Sequence, residues 1–157
     1  MNTTIYRVEP ATLADVNQLA ALEQHLFMTD HRSRKNLRYL IQRATVIVAR
    51  IEKAQEIVGY AILLGRKDSR KRRIYSLGVA ASARNCGIGS KLVSALETNA
   101  RKAGCTLLTL EVNDSSKAAI DFYHNYGFKQ CGFRYGYYED GGHALLMSKS
   151  LASALVT

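Results

Sequence analysis

Val79-Ala80-Ala81-Ser82-Ala83-Arg84-Asn85-Cys86-Gly87-Ile88-Gly89 joins a segment of strand character to one of helix character. Arg84 stands three residues before Gly87, and Gly87 and Gly89 carry no β-carbon. Main-chain N–H groups can therefore come within hydrogen-bonding distance of phosphate oxygens. The helix that follows aims its unsatisfied N–H groups and positive dipole end at the same place. The stretch reads as a turn that grips a diphosphate; a tight turn that binds nothing is the plain alternative.

The flanks decide in favour of the diphosphate. Arg73 to Val79 is rich in β-branched and aromatic residues, as a strand should be. Ile88, Leu92, Val93, Leu96, Ala100 and Ala103 fall on one helical stripe, and Gly104 supplies a stop. A Walker loop is excluded because no Gly-Lys-Ser/Thr follows, and the dinucleotide fingerprint because the third glycine is missing.

Arg84-x-x-Gly87-x-Gly89 after a strand resembles the acetyl-CoA signature of the GCN5-related N-acetyltransferases. Leu110-Glu111-Val112, then Ala118-Ala119-Ile120 with Tyr123, then Tyr126-Gly127-Phe128, resembles the second half of that family's pattern, and the likeness extends loosely through Tyr137-Tyr138 to Leu145-Leu146-Met147. The subgroup it resembles is the RimI-like enzymes, which acetylate the N-terminal α-amine of a ribosomal protein. Residues 45 to 150 carry the resemblance; residues 1 to 44 match only in outline.

Around that centre the chain reads β-α-α-β-β-β-α-β-α-β-β. Thr4 to Val8 alternates as a first strand, and residues 12–27 follow the helical period, with Thr12 as N-cap and Glu23 on the stripe beside Leu19, Leu22 and Leu26. Asp30 to Arg43 reads as a basic helix buried through Leu37, Leu40 and Ile41. Residues 46–49, 57–64 and 73–79 read as successive antiparallel strands, and 106–112 as a buried one. Ser115 or Ser116 can cap the next helix, which Gly127 ends. Residues 128–137 and 143–149 complete a mixed α/β sheet with helices on both faces, paired through Asp140-Gly141-Gly142. The same order is that of the acetyltransferase fold.

A length of 157 residues fits a single domain over residues 1–157, with one proline, no Ser/Gly-rich linker and no internal repeat. No secretory pattern opens the chain and no eighteen apolar residues run together, so a cytoplasmic protein without membrane contact is expected. Three widely spaced cysteines suit free thiols in a reducing compartment, and the four scattered histidines predict no metal site. Cys86 reads as a spacer in the turn; a reactive thiol at a helix N-terminus is the alternative.

Acyl transfer to an amine needs a neutral amine, a stabilised oxyanion and a proton for the departing thiolate. Glu111, on an otherwise apolar and threonine-bearing strand, is either a solvated strand-end residue or a placed carboxylate. Tyr123 shares a helix face with Ala119, Phe122 and Tyr126, so its ring reads as core while its hydroxyl stays available. The resemblance implies that Glu111 is the general base, through water, and Tyr123 the general acid facing the CoA sulfur. It further implies that Leu77, Gly78 and Val79 bond pantetheine through their backbone and that Asn85, Cys86, Gly87, Ile88, Gly89 and Ser90 surround the diphosphate beside Arg84. RimI-like proteins carry an asparagine where this chain has Ser116; Asn113 or Lys117 can replace that contact. Deprotonating a lysine at pH 7 costs ~4.6 kcal/mol and an α-amine only ~1 kcal/mol, which favours the α-amine.

The formal charge of +9 predicts attraction to anions, CoA among them. The basic run Arg66 to Arg73 reads as a solvated hairpin turn, or as a site for the adenosine phosphate or an acidic partner. Arg32, Arg34, Lys35, Arg38 and Arg43 lie on a helix whose family counterparts border the acceptor, so an acceptor with anionic character is expected at Arg34, Lys35 and Arg38. The resemblance runs on to Tyr137 and Tyr138, which are placed with them on the acceptor side. A nucleic-acid module using Tyr135, Tyr137 and Tyr138 lacks any RNP, helix-turn-helix or zinc pattern and leaves the turn unused. A non-catalytic acyl-CoA sensor would not need both Glu111 and Tyr123. The acceptor is expected to be a protein N-terminus, with a small amine as the alternative.

Overall fold

The computed structural model describes residues 3–27 and 32–151. Its elements follow the expected order: β1 (Tyr6–Pro10), α1 (Val16–Leu26), α2 (Arg34–Arg43), β2 (Thr45–Ile51), β3 (Ile57–Leu64), β4 (Lys71–Val79), α3 (Ile88–Lys102), β5 (Leu107–Asn113), α4 (Lys117–Asn125), β6 (Lys129–Arg134) and β7 (Ala144–Ser150). Seven strands form one mixed sheet in the order β1-β2-β3-β4-β5-β7-β6. Backbone contacts gather into two compact units, residues 1–64 with 76–98 and residues 65–75 with 99–157.

In the first unit, β2 lies between β1 and β3 and pairs antiparallel with both, Val8 opposite Ala49 and Val48 opposite Tyr60. Residues 46–49 and 57–63 are buried without a break, which is why their sequence is continuously apolar rather than alternating. The expected helix over 12–27 begins instead with a 3₁₀ turn, Leu13–Asp15, before α1. Asp15 accepts the Thr12 N–H at 2.8 Å and the Arg50 guanidinium at 2.9 Å, so its charge is paired although the residue is buried. Asp30, the expected start of the second helix, lies outside the described residues; α2 starts after Ser33, whose hydroxyl accepts the Asn36 N–H at 3.1 Å. The apolar stripe of α3 is buried through Ala100, while Ala103 is exposed because the helix ends at Lys102 and Gly104 turns the chain at φ 80°.

In the second unit, β5 alternates, with Leu108, Leu110 and Val112 buried and Glu111 between them less so. It runs parallel to β4, Arg73 opposite Thr109, and antiparallel to β7, Glu111 opposite Leu146; β7 in turn pairs antiparallel with β6. Part of the basic run is strand rather than turn, since β4 starts at Lys71. Arg72 explains the difference: its Nη1 donates to the carbonyls of Arg66 at 2.9 Å and Ser69 at 3.0 Å and draws the turn short. β6 stops at Arg134, before Gly136 takes φ 59°, rather than reaching Tyr137. Gly127 ends α4 as its sequence predicts, at φ 108°, and the Phe128 N–H returns to the Tyr123 carbonyl at 2.9 Å.

Candidate functional site

The first unit holds the glycine turn. Ala81–Ala83 form a single 3₁₀ turn, Arg84 is extended, and then two left-handed residues follow, Asn85 at φ 63° and Gly87 at φ 76°. Asparagine is among the few side-chain-bearing residues that visit this conformation at small cost, and glycine pays none. Lys91 donates the first helical bond, to Gly87 O at 3.1 Å, so the amides of Ile88, Gly89 and Ser90 precede the ladder. Residues 84–87 are exposed while Ala83 and Ile88 anchor the two ends of the loop in the core. A β-carbon on Gly87 would meet nothing within 4 Å. Open space over a run of forward-pointing amides fits a diphosphate.

Gly87→Val isolates that conformation, because the side chain has room but the left-handed backbone does not suit it. With a penalty of about 1–2 kcal/mol, the expected result is a Kd for coenzyme A about tenfold higher by calorimetry, with the fold intact.

Two further turn residues are engaged locally. Arg84 Nε donates back to Val79 O at 3.3 Å, and the Cys86 thiol lies 3.5 Å from Arg84 O and 3.9 Å from the Tyr6 hydroxyl. Leu77, Gly78 and Val79 form the end of β4. Gly78 is glycine for a packing reason that the sequence does not reveal: an added β-carbon would stand 2.7 Å from Leu26 Cδ1 and 3.0 Å from Tyr60 Cε1.

Beneath Gly78 lies a polar cluster absent from the sequence reading. Glu23 is wholly buried, and its carboxylate accepts the Tyr60 hydroxyl, the Arg32 N–H at 2.9 Å and Arg32 Nη1 at 3.1 Å. A charged residue on a stripe of leucines was its only signal. Arg34, Lys35 and Arg38 are exposed on α2, and Arg34 Nε donates to Asn17 Oδ1 of α1 at 2.9 Å.

The second unit carries the remaining candidates. Arg73 brings two of them together: its Nη2 lies 2.6 Å from Glu111 Oε2 and 3.0 Å from the Tyr137 hydroxyl, while its guanidinium sits 5.4 Å from the centre of the Tyr75 ring. Tyr138 packs edge-on against Tyr137 with ring centres 5.0 Å apart. Burial pushes the Tyr138 phenol up, and the Tyr137 and Glu111 neighbours add to it against Arg73. The sequence places Arg73 at the end of a basic run and the start of a strand, where its alternation with Tyr75 is legible; its register with β5 is not.

Of the two expected serines, Ser116 is the one at the start of α4. Ser116 takes the N-cap position without a side-chain bond, while Ser115 donates through both N–H and hydroxyl to Asn113 Oδ1, at 2.9 and 2.6 Å. Lys117 is exposed at the first turn of that helix. Tyr123 is 8% exposed, edge-on to Phe122 and Phe128, and its hydroxyl makes no hydrogen bond among the described residues. Burial holds its phenol well above the usual range, so it stays protonated.

Tyr60 is raised in the same way, first by burial and then by the charge of Glu23. Folded phenols that stay neutral while unfolded ones ionise give stability that is complete below the ordinary value of 10.0 and is lost as the pH climbs above it. The loss should approach about 1.4 kcal/mol per pH unit for each phenol. Urea unfolding between about pH 9 and 11 checks this, and Tyr123→Phe should make the slope shallower.

Among the described residues no cluster of three or more His, Cys, Asp or Glu could hold a metal ion, and no helix is long and apolar enough to cross a membrane.

Residues 14–128 match the model of the acetyltransferase (GNAT) family. The chain is 37% identical over 99 residues to an uncharacterized N-acetyltransferase of Methanocaldococcus jannaschii, a match spanning 62% of each chain and so less than two thirds of that relative's length. It is 30% identical over 144 residues to the N-alpha-acetyltransferase RimI of Mycobacterium tuberculosis, covering 85% of this chain and 88% of the relative. The fold is shared with the ribosomal-protein-S18-alanine N-acetyltransferase of Escherichia coli, at a TM-score of 0.82 and 21% identity over 98% of this chain and 100% of the other. With the glycine turn at the strand-to-helix junction and the mixed seven-stranded sheet, the family match shows that the chain belongs to the acetyltransferase (GNAT) family of enzymes.

Proposed function

We propose that residues 1–157 form one cytoplasmic N-acetyltransferase domain that uses acetyl-CoA to acetylate a primary amine, in the first place the α-amine of a protein N-terminus. The observation that carries the reading is the state of Tyr123: a phenol kept protonated by burial, with a hydroxyl committed to no neighbour among the described residues. Such a group carries the proton that a donor needs and cannot act as a base at neutral pH.

Arg84 to Ser90 would hold the diphosphate through backbone amides, Leu77 to Val79 the pantetheine, and Asn113, Ser116 and Lys117 further polar atoms. Bound acetyl-CoA supplies the acetyl group as an activated thioester. Glu111 accepts the proton of the acceptor amine, directly or through water, at Oε1, since Arg73 engages Oε2. Tyr123 holds a proton at its hydroxyl for the leaving sulfur. Tyr137, Tyr138 and the α2 cations Arg34, Lys35 and Arg38 meet the acceptor, whose character is accordingly acidic. The preference for an α-amine rests on the RimI relative and on the proton cost: one carboxylate meets a demand of ~1 kcal/mol more readily than the ~4.6 kcal/mol of a lysine.

The test is thiol release from acetyl-CoA with three acceptor sets: peptides with free N-termini, the same peptides N-blocked but carrying lysine, and small amines. Turnover concentrated in the first set is expected. Turnover confined to the small amines would overturn the acceptor assignment, and tight coenzyme binding without turnover of any amine would make the protein a sensor instead.

A further inference from the structure

We propose that Arg73 is a specificity residue that screens the charge of Glu111, so that the site selects amines arriving uncharged and rejects lysine side chains. The proposal rests on the reading of Glu111 as the group that meets the acceptor amine. Its own ground is the geometry of one guanidinium. Nη2 stands 2.6 Å from the Glu111 carboxylate, whose side chain is only 15% exposed, and the same nitrogen donates to the Tyr137 hydroxyl at 3.0 Å. Tyr75 backs the guanidinium from one side, and Arg73 Nε is buried without an acceptor among the described residues. An arginine in contact on three sides spends less entropy in its ion pair than a solvated one, and although its own side chain is 38% exposed, the carboxylate it pairs with is largely shielded from water.

The consequence is electrostatic. A bare carboxylate attracts an ammonium and concentrates it; a carboxylate already paired offers a cation little, and the adjacent guanidinium repels it. At about pH 8.5 roughly five in six α-amines are neutral but only about one in eighty lysine side chains. A screened site therefore discriminates between the two by their charge before chemistry begins.

The experiment compares Arg73→Met, which keeps an apolar stem on Tyr75 but no charge, with Arg73→Lys, which keeps the charge. For matched peptides, one offering an α-amine and one N-blocked and offering lysine, Arg73→Met should raise the ratio of lysine to α-amine kcat/KM about tenfold, whereas Arg73→Lys stays near the parent. A merely structural role would depress both peptides alike. Calorimetry with the lysine peptide alone gives a readout independent of turnover: Arg73→Met should tighten binding about tenfold, and adding Glu111→Gln should abolish the gain. Parent turnover of the α-amine peptide with an unmoved ratio and unmoved lysine binding overturns the Arg73 proposal alone. A parent that turns over no α-amine peptide overturns the functional reading together with it.

Discussion

Tyr123→Phe should lower kcat by about 10²- to 10⁴-fold, the usual contribution of a positioned proton donor, while the KM values for acetyl-CoA and for the acceptor change little. The substitution removes one oxygen and leaves a ring of the same shape against Phe122 and Phe128. The lost hydroxyl has no hydrogen-bond partner among the described residues, so the fold loses little with it. Thiol release under saturating substrates is the measurement. A kcat within a few-fold of the parent would remove Tyr123 from the chemistry and leave it a packing residue.

Glu23→Ala should be the most destabilising single change in the first unit, by about 3–5 kcal/mol, the cost of breaking a buried ion pair from one side. It deletes the carboxylate shared by Tyr60, the Arg32 N–H and the Arg32 guanidinium, all within a region where Glu23 has no exposure. Against a total stability of about 5–15 kcal/mol this is a large fraction, and the midpoint of thermal unfolding should fall by about 10 °C or more. Tyr60→Phe removes one donor and leaves the Arg32 pair, so its cost should be smaller, about 1.5–3 kcal/mol. Equal losses for the two variants would mean that the Arg32 pair contributes nothing.

What could be read from the residues was local. The turn at Arg84 to Gly89 announces itself because glycine spacing, a strand before it and an amphipathic helix after it are all contiguous in sequence, and the left-handed angle at Gly87 is the reason for its glycine. Glu111 and Tyr123 were legible through spacing and through the resemblance, and the helix stop at Gly127 through its residue type. The pairing of Arg73 with Glu111 was not, because it depends on the parallel register of two strands 38 positions apart, which no local pattern encodes. Gly78 shows the same limit: its small size answers to Leu26 and Tyr60, residues brought to it only by folding. The start of β4 moved because the Arg72 side chain reaches back to the backbone of the turn before it.

The insertion of β7 between β5 and β6 carries a consequence for biosynthesis. Glu111 faces Leu146 across that pairing, and β6 has only β7 as a neighbour, so the nascent polypeptide cannot finish this half of the sheet until residues 144–150 have left the ribosome. Until then β5 has β4 alone as a neighbour and β6 has none, so one short C-terminal strand closes two open edges at once.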